Sequence, residues 1–119
     1  MPEIQRIGES SRWSDVVIYR GEARWVEVAE NATQDVRGQI EQVLNQIDAT
    51  LDLIGSNRGC LLQVMIFLAD LQSASILNEL WDRWVPTGQA PIRACVEAGL
   101  APGHLVEMVI SAAVESKTT

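Results

Sequence analysis

Apolar side chains recur at helical spacing in two segments of the chain. The longer stripe contains Val36, Ile40, Val43, Leu44, Ile47, Leu51 and Ile54. Such spacing is typical of an amphipathic α-helix, which Asn31 or Thr33 can cap and Gly55 can end. The shorter stripe follows Ser73, a suitable N-cap, and contains Leu77, Leu80, Trp81 and Trp84 before the break at 86–88. Two helices are therefore predicted.

The other apolar segments have the composition of strands. Segments 15–19 and 23–28 are rich in β-branched and aromatic residues and flank a turn at Gly21, which predicts a hairpin. Segment 60–69 is almost continuously apolar, as expected of a central strand that is covered on both faces. Two further strands, in 91–100 and 105–110, flank a glycine-containing turn. The predicted order is β-β-α-β-α-β-β.

This order predicts one α+β domain, residues 1–119, with both helices on one face of a single sheet. Apolar residues are also expected on the face away from the helices, among them some of Val16, Ile18, Val26 and Val109. A domain of this size has nothing left to cover that face. We therefore expect a homo-oligomer, because an uncovered apolar sheet face is a typical subunit contact.

Arg93 and Glu107 are charged residues within the last two predicted strands. Alternation places Arg93 and Cys95 together on one strand face. Glu107 stands in a very apolar strand, where a buried carboxylate needs a partner, and Arg93 is the candidate if the two strands pair. The pair can be a structural ion pair. It can equally be a site in which the guanidinium binds a substrate carboxylate and Glu107 positions or activates water.

Composition excludes several classes of partner. Sixteen acidic and nine basic residues give a formal charge of -7, which disfavours nucleic acid and anionic membranes. The segment 1–6 lacks the apolar core that a signal peptide has, and no apolar run approaches membrane-spanning length. Cys60 and Cys95 are expected to be free thiols. We therefore expect a cytoplasmic protein. The polar tail, 115–119, is expected to fray.

Single residues give weaker indications of chemistry. His104 is the only histidine, so no histidine-rich metal site is expected, and a turn position favours a solvent-exposed side chain. Cys95 can be a nucleophile beside Arg93, but a small buried strand residue is the preferred interpretation. Trp81 and Trp84 are expected in the core or an interface rather than in a stacking surface for nucleic acid.

Several motifs together resemble those of one protein family. Pro-Ile-Arg-Ala-Cys-Val at 91–96, with Leu-Val-Glu-Met-Val at 105–109, resembles the closing signature of the Rid family, also called YjgF. Phe-Leu-Ala-Asp at 67–70, followed by Asn78 and Trp81, resembles the family's central strand and second helix. Arg-Trp-Ser-Asp at 12–15 is similar to the opening motif of one bacterial branch. The resemblance runs from about residue 12 to residue 114.

The resemblance implies a trimer of chorismate-mutase-like subunits, with sheets facing inward and three clefts between adjacent subunits. Active members hydrolyse reactive enamines and imines, such as 2-aminoacrylate, to 2-oxo acids and ammonia without a cofactor or a metal. By position, Arg93 would hold the substrate carboxylate, Glu107 would position or activate water, and the backbone around Cys95 would contact the substrate nitrogen. The remaining substrate-binding positions implied by the resemblance are Trp13, Ser14, Val26 and Asn78.

The sequence departs from the family pattern at two places. Trp13 stands where many active members have tyrosine, and Val26-Glu27 stands where Ser or Thr followed by Gly is expected. Valine cannot hydrogen-bond, and Glu27 would repel an anionic substrate if it points inward. A non-catalytic trimer that binds a 2-oxo acid or similar carboxylate is therefore the alternative to a deaminase. Ribonuclease activity is a less favoured second alternative, because the chain is acidic and lacks a basic groove.

Overall fold

The computed structural model describes residues 2–115 and contains six strands and two helices. Residues 116–119 of the predicted fraying tail lie outside the described residues. The strands are β1 (Gln5–Ile7), β2 (Val16–Tyr19), β3 (Glu22–Val28), β4 (Leu61–Leu68), β5 (Ile92–Glu97) and β6 (Val106–Ala113). The helices are α1 (Val36–Leu53) and α2 (Ala74–Trp84).

The predicted α+β fold and its element order are confirmed from β2 onward. β1 is an additional strand, too short and too polar to show a pattern in the sequence. The sheet order is β1-β2-β3-β6-β4-β5, with β4 and β5 parallel and all other neighbours antiparallel. The last two strands do not pair, because β4 lies between β5 and β6. Helix α2 connects β4 to β5 as a crossover, which makes these two strands parallel neighbours.

Both helices pack on one face of the sheet, as predicted. Val64, Ile66 and Leu68 of β4 are fully buried on this face. The apolar residues that the helices bury against the sheet are Ile40, Val43, Leu44, Ile47 and Leu51 in α1 and Leu77, Trp81 and Trp84 in α2. Full burial of one large aliphatic side chain contributes about 1.5–3 kcal/mol. The apolar layer between the helices and the sheet is therefore the main source of stability, and both tryptophans of α2 belong to it.

The opposite face of the sheet, named here the open face, is covered by no helix of the described chain. Val26 in β3 is 53% exposed and Val96 in β5 is 41% exposed. Met65 and Phe67 of β4 lie on the same face and are half-buried. The prediction that β4 is covered on both faces is therefore wrong for the single chain.

Strand register decides which of the apolar residues expected on the open face lie there. Val26 pairs with Val109, and both point away from the helices, as expected. Val16 is buried among the helices. Ile18 pairs with the buried Ala23 and also points to the helices. Two of the four residues therefore contribute to the open face.

Helix α1 begins one residue after Asp35 and ends just before a left-handed glycine. The Asp35 carboxylate accepts a hydrogen bond from the Gly38 backbone N–H at 2.9 Å, so Asp35 is the N-cap and the expectation of Asn31 or Thr33 is wrong. Those two residues bond to each other within the preceding loop. Gly55 has φ of +75° and ends the helix as predicted.

Candidate functional site

Four of the predicted site residues line one cavity of about 840 Å³. These residues, named here the cavity group, are Trp13, Ser14, Val26 and Glu107. They come from the loop between β1 and β2, from β3 and from the start of β6. Three carboxylates line the cavity, those of Asp15, Glu27 and Glu107, whereas no lysine or arginine does. The cavity therefore has an acidic wall.

Glu107 is the second residue of β6, and its side chain points to the open face. Val106 and Met108, on either side of it, are fully buried under the helices, so alternation turns Glu107 the other way. It pairs with Val28 of β3 and Phe67 of β4. Glu107 is half-buried and forms no ion pair with another described residue. Its position explains how a carboxylate fits into so apolar a strand.

Arg93 lies on the face of the sheet opposite to Glu107. It pairs with Val64, which is buried under the helices. The guanidinium carbon is 5.4 Å from the centroid of the Trp81 ring in α2, a distance typical of a cation–π contact. Arg93 is exposed and has no ion-pair partner within residues 2–115. The condition for an Arg93–Glu107 contact, pairing of their two strands, is therefore not met within one chain, where strand order and face both separate the two residues.

Cys95 and Asn78, like Arg93, are not among the residues that line the cavity, and the three are named here the edge group. Cys95 is on the same strand face as Arg93 and packs at the margin of the core. Burial raises the pKa of the Cys95 thiol, and the Arg93 charge offsets part of the rise. A raised pKa lowers the thiolate fraction, which supports the interpretation of Cys95 as a packing residue. Asn78 is exposed on α2.

Glu27 points to the helix side of the sheet and is tied to α1. Its carboxylate accepts hydrogen bonds from Trp25 Nε1 at 3.1 Å, Gln46 Nε2 at 3.1 Å and the Thr50 hydroxyl at 2.8 Å. These donors hold the carboxylate at the cavity wall. Val26, the neighbouring residue, points to the open face and brings no hydrogen-bonding group to the cavity.

The loop that carries Trp13 and Ser14 is closed at its base by Gly8. Gly8 has φ of +128°, and a Cβ atom there would lie 2.8 Å from the backbone nitrogen of Asp15. That nitrogen donates to the Ile7 carbonyl at 2.6 Å. Only glycine fits both the close approach and the backbone conformation. Gly8 therefore sets the position of the loop over the cavity.

His104 is a cavity residue that the sequence did not indicate. The expectation of a solvent-exposed loop side chain is wrong: the residue is half-buried and lines the cavity together with Glu107. Its Nδ1 atom is buried and has no hydrogen-bond partner among the described residues. A turn at Pro102-Gly103 shows that the backbone reverses, but not which side of it faces the protein.

Gln39 fixes the turn that carries His104. This fully buried side chain donates from Nε2 to the Gly103 carbonyl at 2.9 Å and accepts at Oε1 from the Leu105 N–H at 2.9 Å. Nε2 also donates to the carbonyls of Ala32 and Gln34 in the loop before α1. The only signal in the sequence is that position 39 falls within the apolar stripe of α1.

The described chain shows neither a metal site nor a membrane span. No three His, Cys, Asp or Glu side chains within residues 2–115 are grouped so as to hold a metal ion. Neither helix of this part of the chain has the length and apolar character needed to cross a bilayer.

Comparison with known proteins gives matches over nearly the whole chain. The family model described as Endoribonuclease L-PSP matches residues 6–114. The RutC family protein YoaB of Escherichia coli (strain K12) is 45% identical over 112 residues, covering 93% of this chain and 98% of that protein.

Two solved structures also have similar folds. An uncharacterized protein from Pseudomonas aeruginosa is 36% identical with a TM-score of 0.90, covering 95% of this chain and 100% of that chain. A member of the YjgF protein family from Neisseria meningitidis is 36% identical with a TM-score of 0.85. The match covers 96% of this chain and 97% of that chain. These matches confirm the resemblance noted in the motifs at both ends of the chain. The chain belongs to the Rid family, also called YjgF.

Proposed function

We propose that this protein hydrolyses reactive enamines and imines, such as 2-aminoacrylate, to 2-oxo acids and ammonia, in clefts between the subunits of a homotrimer. The observation that carries the proposal is the separation of the site residues into two groups. The cavity group supplies the Glu107 carboxylate in a wall without lysine or arginine, and the edge group supplies the Arg93 guanidinium. A site that uses both charges on one small substrate needs two chains.

The uncovered sheet supports assembly. Val26 and Val96 are large exposed apolar residues on the open face, and covering them with a second copy removes their surface from water. Arg93 is exposed on β5, at the edge of the sheet. The test is the mass in solution by light scattering, and a trimer has three times the 13.1 kDa chain mass. A monomer at micromolar concentration would contradict the proposal.

The reaction needs no group beyond those named. Arg93 holds the substrate carboxylate through two parallel hydrogen bonds. Glu107 accepts a proton from water while the water oxygen bonds to the imine carbon and the C=N electron pair moves to nitrogen. Glu107 then gives that proton to the nitrogen. The carbinolamine then forms C=O as its C–N bond breaks, and its hydroxyl proton passes through Glu107 to the departing ammonia. An enamine first tautomerises to the imine: it gains a proton at carbon from water and loses one from nitrogen to water.

Activity is tested by ammonia and 2-oxo acid release from imines that an amino acid oxidase generates, with semicarbazide as a competing trap. We expect wild type to outpace the trap. Arg93→Ala is expected to lower kcat/KM at least about tenfold, because a charge-assisted hydrogen-bond pair is lost. The matched control is Arg83→Ala, which removes the same charge from an α2 side chain that is 72% exposed. Equal rates for Arg93→Ala and wild type would contradict the proposal.

A carboxylate-binding protein without turnover is the second candidate. It is favoured by Val26, which stands where the resemblance leads us to expect a hydroxyl. The two candidates share the Arg93 contact and differ in turnover. Ligand binding to the folded state raises the melting temperature, so stabilisation by a 2-oxo acid without imine hydrolysis would select the binding protein.

Ribonuclease activity is the third candidate, and the description of the matching family model names it. Against it stand the formal charge of -7 and the acidic wall of the cavity, both of which repel phosphate. We expect no RNA cleavage at low salt, where electrostatic attraction of RNA to a basic site would be strongest. If wild type cleaves RNA and Glu107→Gln does not, ribonuclease activity would become the preferred function.

A further inference from the structure

The open face of the sheet has exposed apolar residues in three successive rows that run across the strands. Val26 in β3 is 53% exposed, whereas Val96 and Ile92 in β5 are 41% and 69% exposed. Strand register places each of the three in a different row. A partner that removes all three from water therefore covers the whole length of β5, including the end of the open face that carries Ile92.

The row that contains Ile92 is otherwise polar from β3 to β5. It consists of Arg24 in β3, Ser111 in β6, Gln63 in β4 and Ile92 itself, and it is named here the polar row. Glu22 lies two residues before Arg24 on the same strand face, and its carboxylate contacts the Arg24 guanidinium. Within residues 2–115, Arg24 has no other ion-pair partner.

The Glu22–Arg24 pair is accessible to water in the single chain. The side chain of Arg24 is 73% exposed and that of Glu22 is 32% exposed. An ion pair that water reaches contributes little to stability. When a second copy covers the open face, the pair leaves the water, and either charge without the other is then costly to bury. The pair therefore matters more for assembly than for folding of the chain.

We propose that the polar row lies within the contact between subunits and that the Glu22–Arg24 pair is buried there when the homotrimer forms. This inference rests on the proposed function, which supplies a second copy of the chain as the occupant of the open face. The pair carries no net charge, so burying one pair in each copy adds no charge repulsion between subunits. Its continuity with the exposed Val26 row makes it part of the surface that assembly covers.

The experiment is a double-mutant cycle of Glu22→Gln, Arg24→Met and the variant with both changes. Light scattering over a dilution series gives the concentration at which half of the protein is trimeric. Each single change leaves one charge without its partner, so this concentration should rise at least about tenfold. The double variant should return to within about threefold of wild type, because removing both charges of a buried pair is tolerated whereas removing one is not.

Glu79→Gln is the matched control, because it breaks the exposed pair that Glu79 forms with Arg37 between the two helices, on the other side of the sheet. We expect its trimer to dissociate within about twofold of the wild-type concentration. Far-UV circular dichroism at the lowest concentration should show the same fold in every variant, since both broken pairs are accessible to water in the single chain.

Three results would overturn the inference. If Glu22→Gln assembles like wild type and Glu79→Gln, the pair stays in water and the polar row lies outside the contact, although the trimer of the proposed function stands. If the double variant assembles no better than Glu22→Gln, or if Arg24→Met alone strengthens assembly, the two charges do not compensate each other in the contact. If wild type is a monomer, the proposed trimer fails and this inference fails with it.

Discussion

Arg93 and Glu107 lie on opposite faces of one sheet, on strands β5 and β6 that β4 separates. A side chain cannot reach through a packed sheet, since the layer beneath Arg93 contains the buried Val64. One chain therefore cannot bring its own guanidinium and carboxylate to one small substrate. The two charges can meet only when the β5 edge of one subunit lies over the cavity of another.

This geometry predicts complementation between inactive variants. Arg93→Ala and Glu107→Gln should each be inactive, yet co-expression should restore activity in mixed oligomers. For random mixing in a cyclic trimer, about a quarter of the clefts receive an intact Arg93 from one chain and an intact Glu107 from the next. Two different affinity tags allow the mixed trimers to be isolated and their imine hydrolysis to be measured.

The control for complementation mixes Arg93→Ala with the double variant Arg93→Ala, Glu107→Gln. No cleft in that mixture contains the guanidinium, so no activity should return. Mixed trimers of the two single variants that stay inactive would show that one chain supplies both charges, contrary to the strand order.

Local pattern was sufficient to predict most elements but not how the strands pair. The α1 stripe and the hairpin at Gly21 are dictated by neighbours in sequence, and both are confirmed. Pairing of β6 with β4 and β3 brings together residues far apart in the chain, which no local spacing reports. The one signal of strand pairing in the sequence was the predicted helix between β4 and β5, because a strand-helix-strand unit favours parallel neighbouring strands.

The sequence indicated candidate site residues, but not how the fold arranges them. The resemblance indicated Trp13, Ser14, Val26 and Glu107, and the structure brings these four to one cavity. The resemblance could not indicate His104, because burial of a turn side chain depends on tertiary contacts such as the Gln39 hydrogen bonds that fix this turn.

Gly8→Ala is expected to disturb the loop over the cavity. The new Cβ would lie 2.8 Å from the Asp15 nitrogen at a φ of +128°, so we expect a loss of about 1–3 kcal/mol in stability and a higher KM. Gly99→Ala is the matched control, since a Cβ there meets no atom within 4 Å. Chemical denaturation and the imine assay measure both effects. Equal stability of the two variants would contradict the role given to Gly8.

Gln39→Ala is expected to lower the free energy of unfolding by about 2–4 kcal/mol, because it leaves several partly buried backbone groups without partners. Gln42→Ala is the control on the same helix. Gln42 also bonds loop backbone, at Asn31, but this contact is exposed to water, so we expect a loss below about 1 kcal/mol. Urea denaturation measures both. Similar losses for the two variants would show that Gln39 does not hold the turn.

Cys95 is expected to react slowly with iodoacetamide. In a Cys60→Ser background, the rise of the rate with pH should be displaced to higher pH than in the unfolded chain, because burial raises the pKa of Cys95. The folded chain favours the neutral thiol. The stability that Cys95 contributes is therefore fully present below the pKa of the thiol in the unfolded chain. It is lost as pH rises through the higher pKa of the thiol in the folded chain.

Arg93→Ala provides a second test of the Cys95 environment. The guanidinium lowers the pKa of this thiol and partly offsets burial, so its removal should slow alkylation further at any given pH. Faster alkylation in the variant would indicate that Arg93 shields the sulfur sterically instead.

Val26→Thr tests whether the missing hydroxyl limits the rate. Threonine has nearly the shape of valine, and position 26 is 53% exposed in the single chain, so the chain itself should still fold. One new hydrogen bond to the substrate or its water contributes about 0.5–1.5 kcal/mol, which predicts a two- to tenfold rise in kcat/KM. Val96→Thr is the control, because Val96 is 41% exposed on the same face but lies outside the cavity. A rise in kcat/KM for Val26→Thr but not for Val96→Thr would place the hydroxyl at the reacting atoms. If kcat/KM does not rise in a Val26→Thr variant that still binds 2-oxo acids, the carboxylate-binding protein would be favoured.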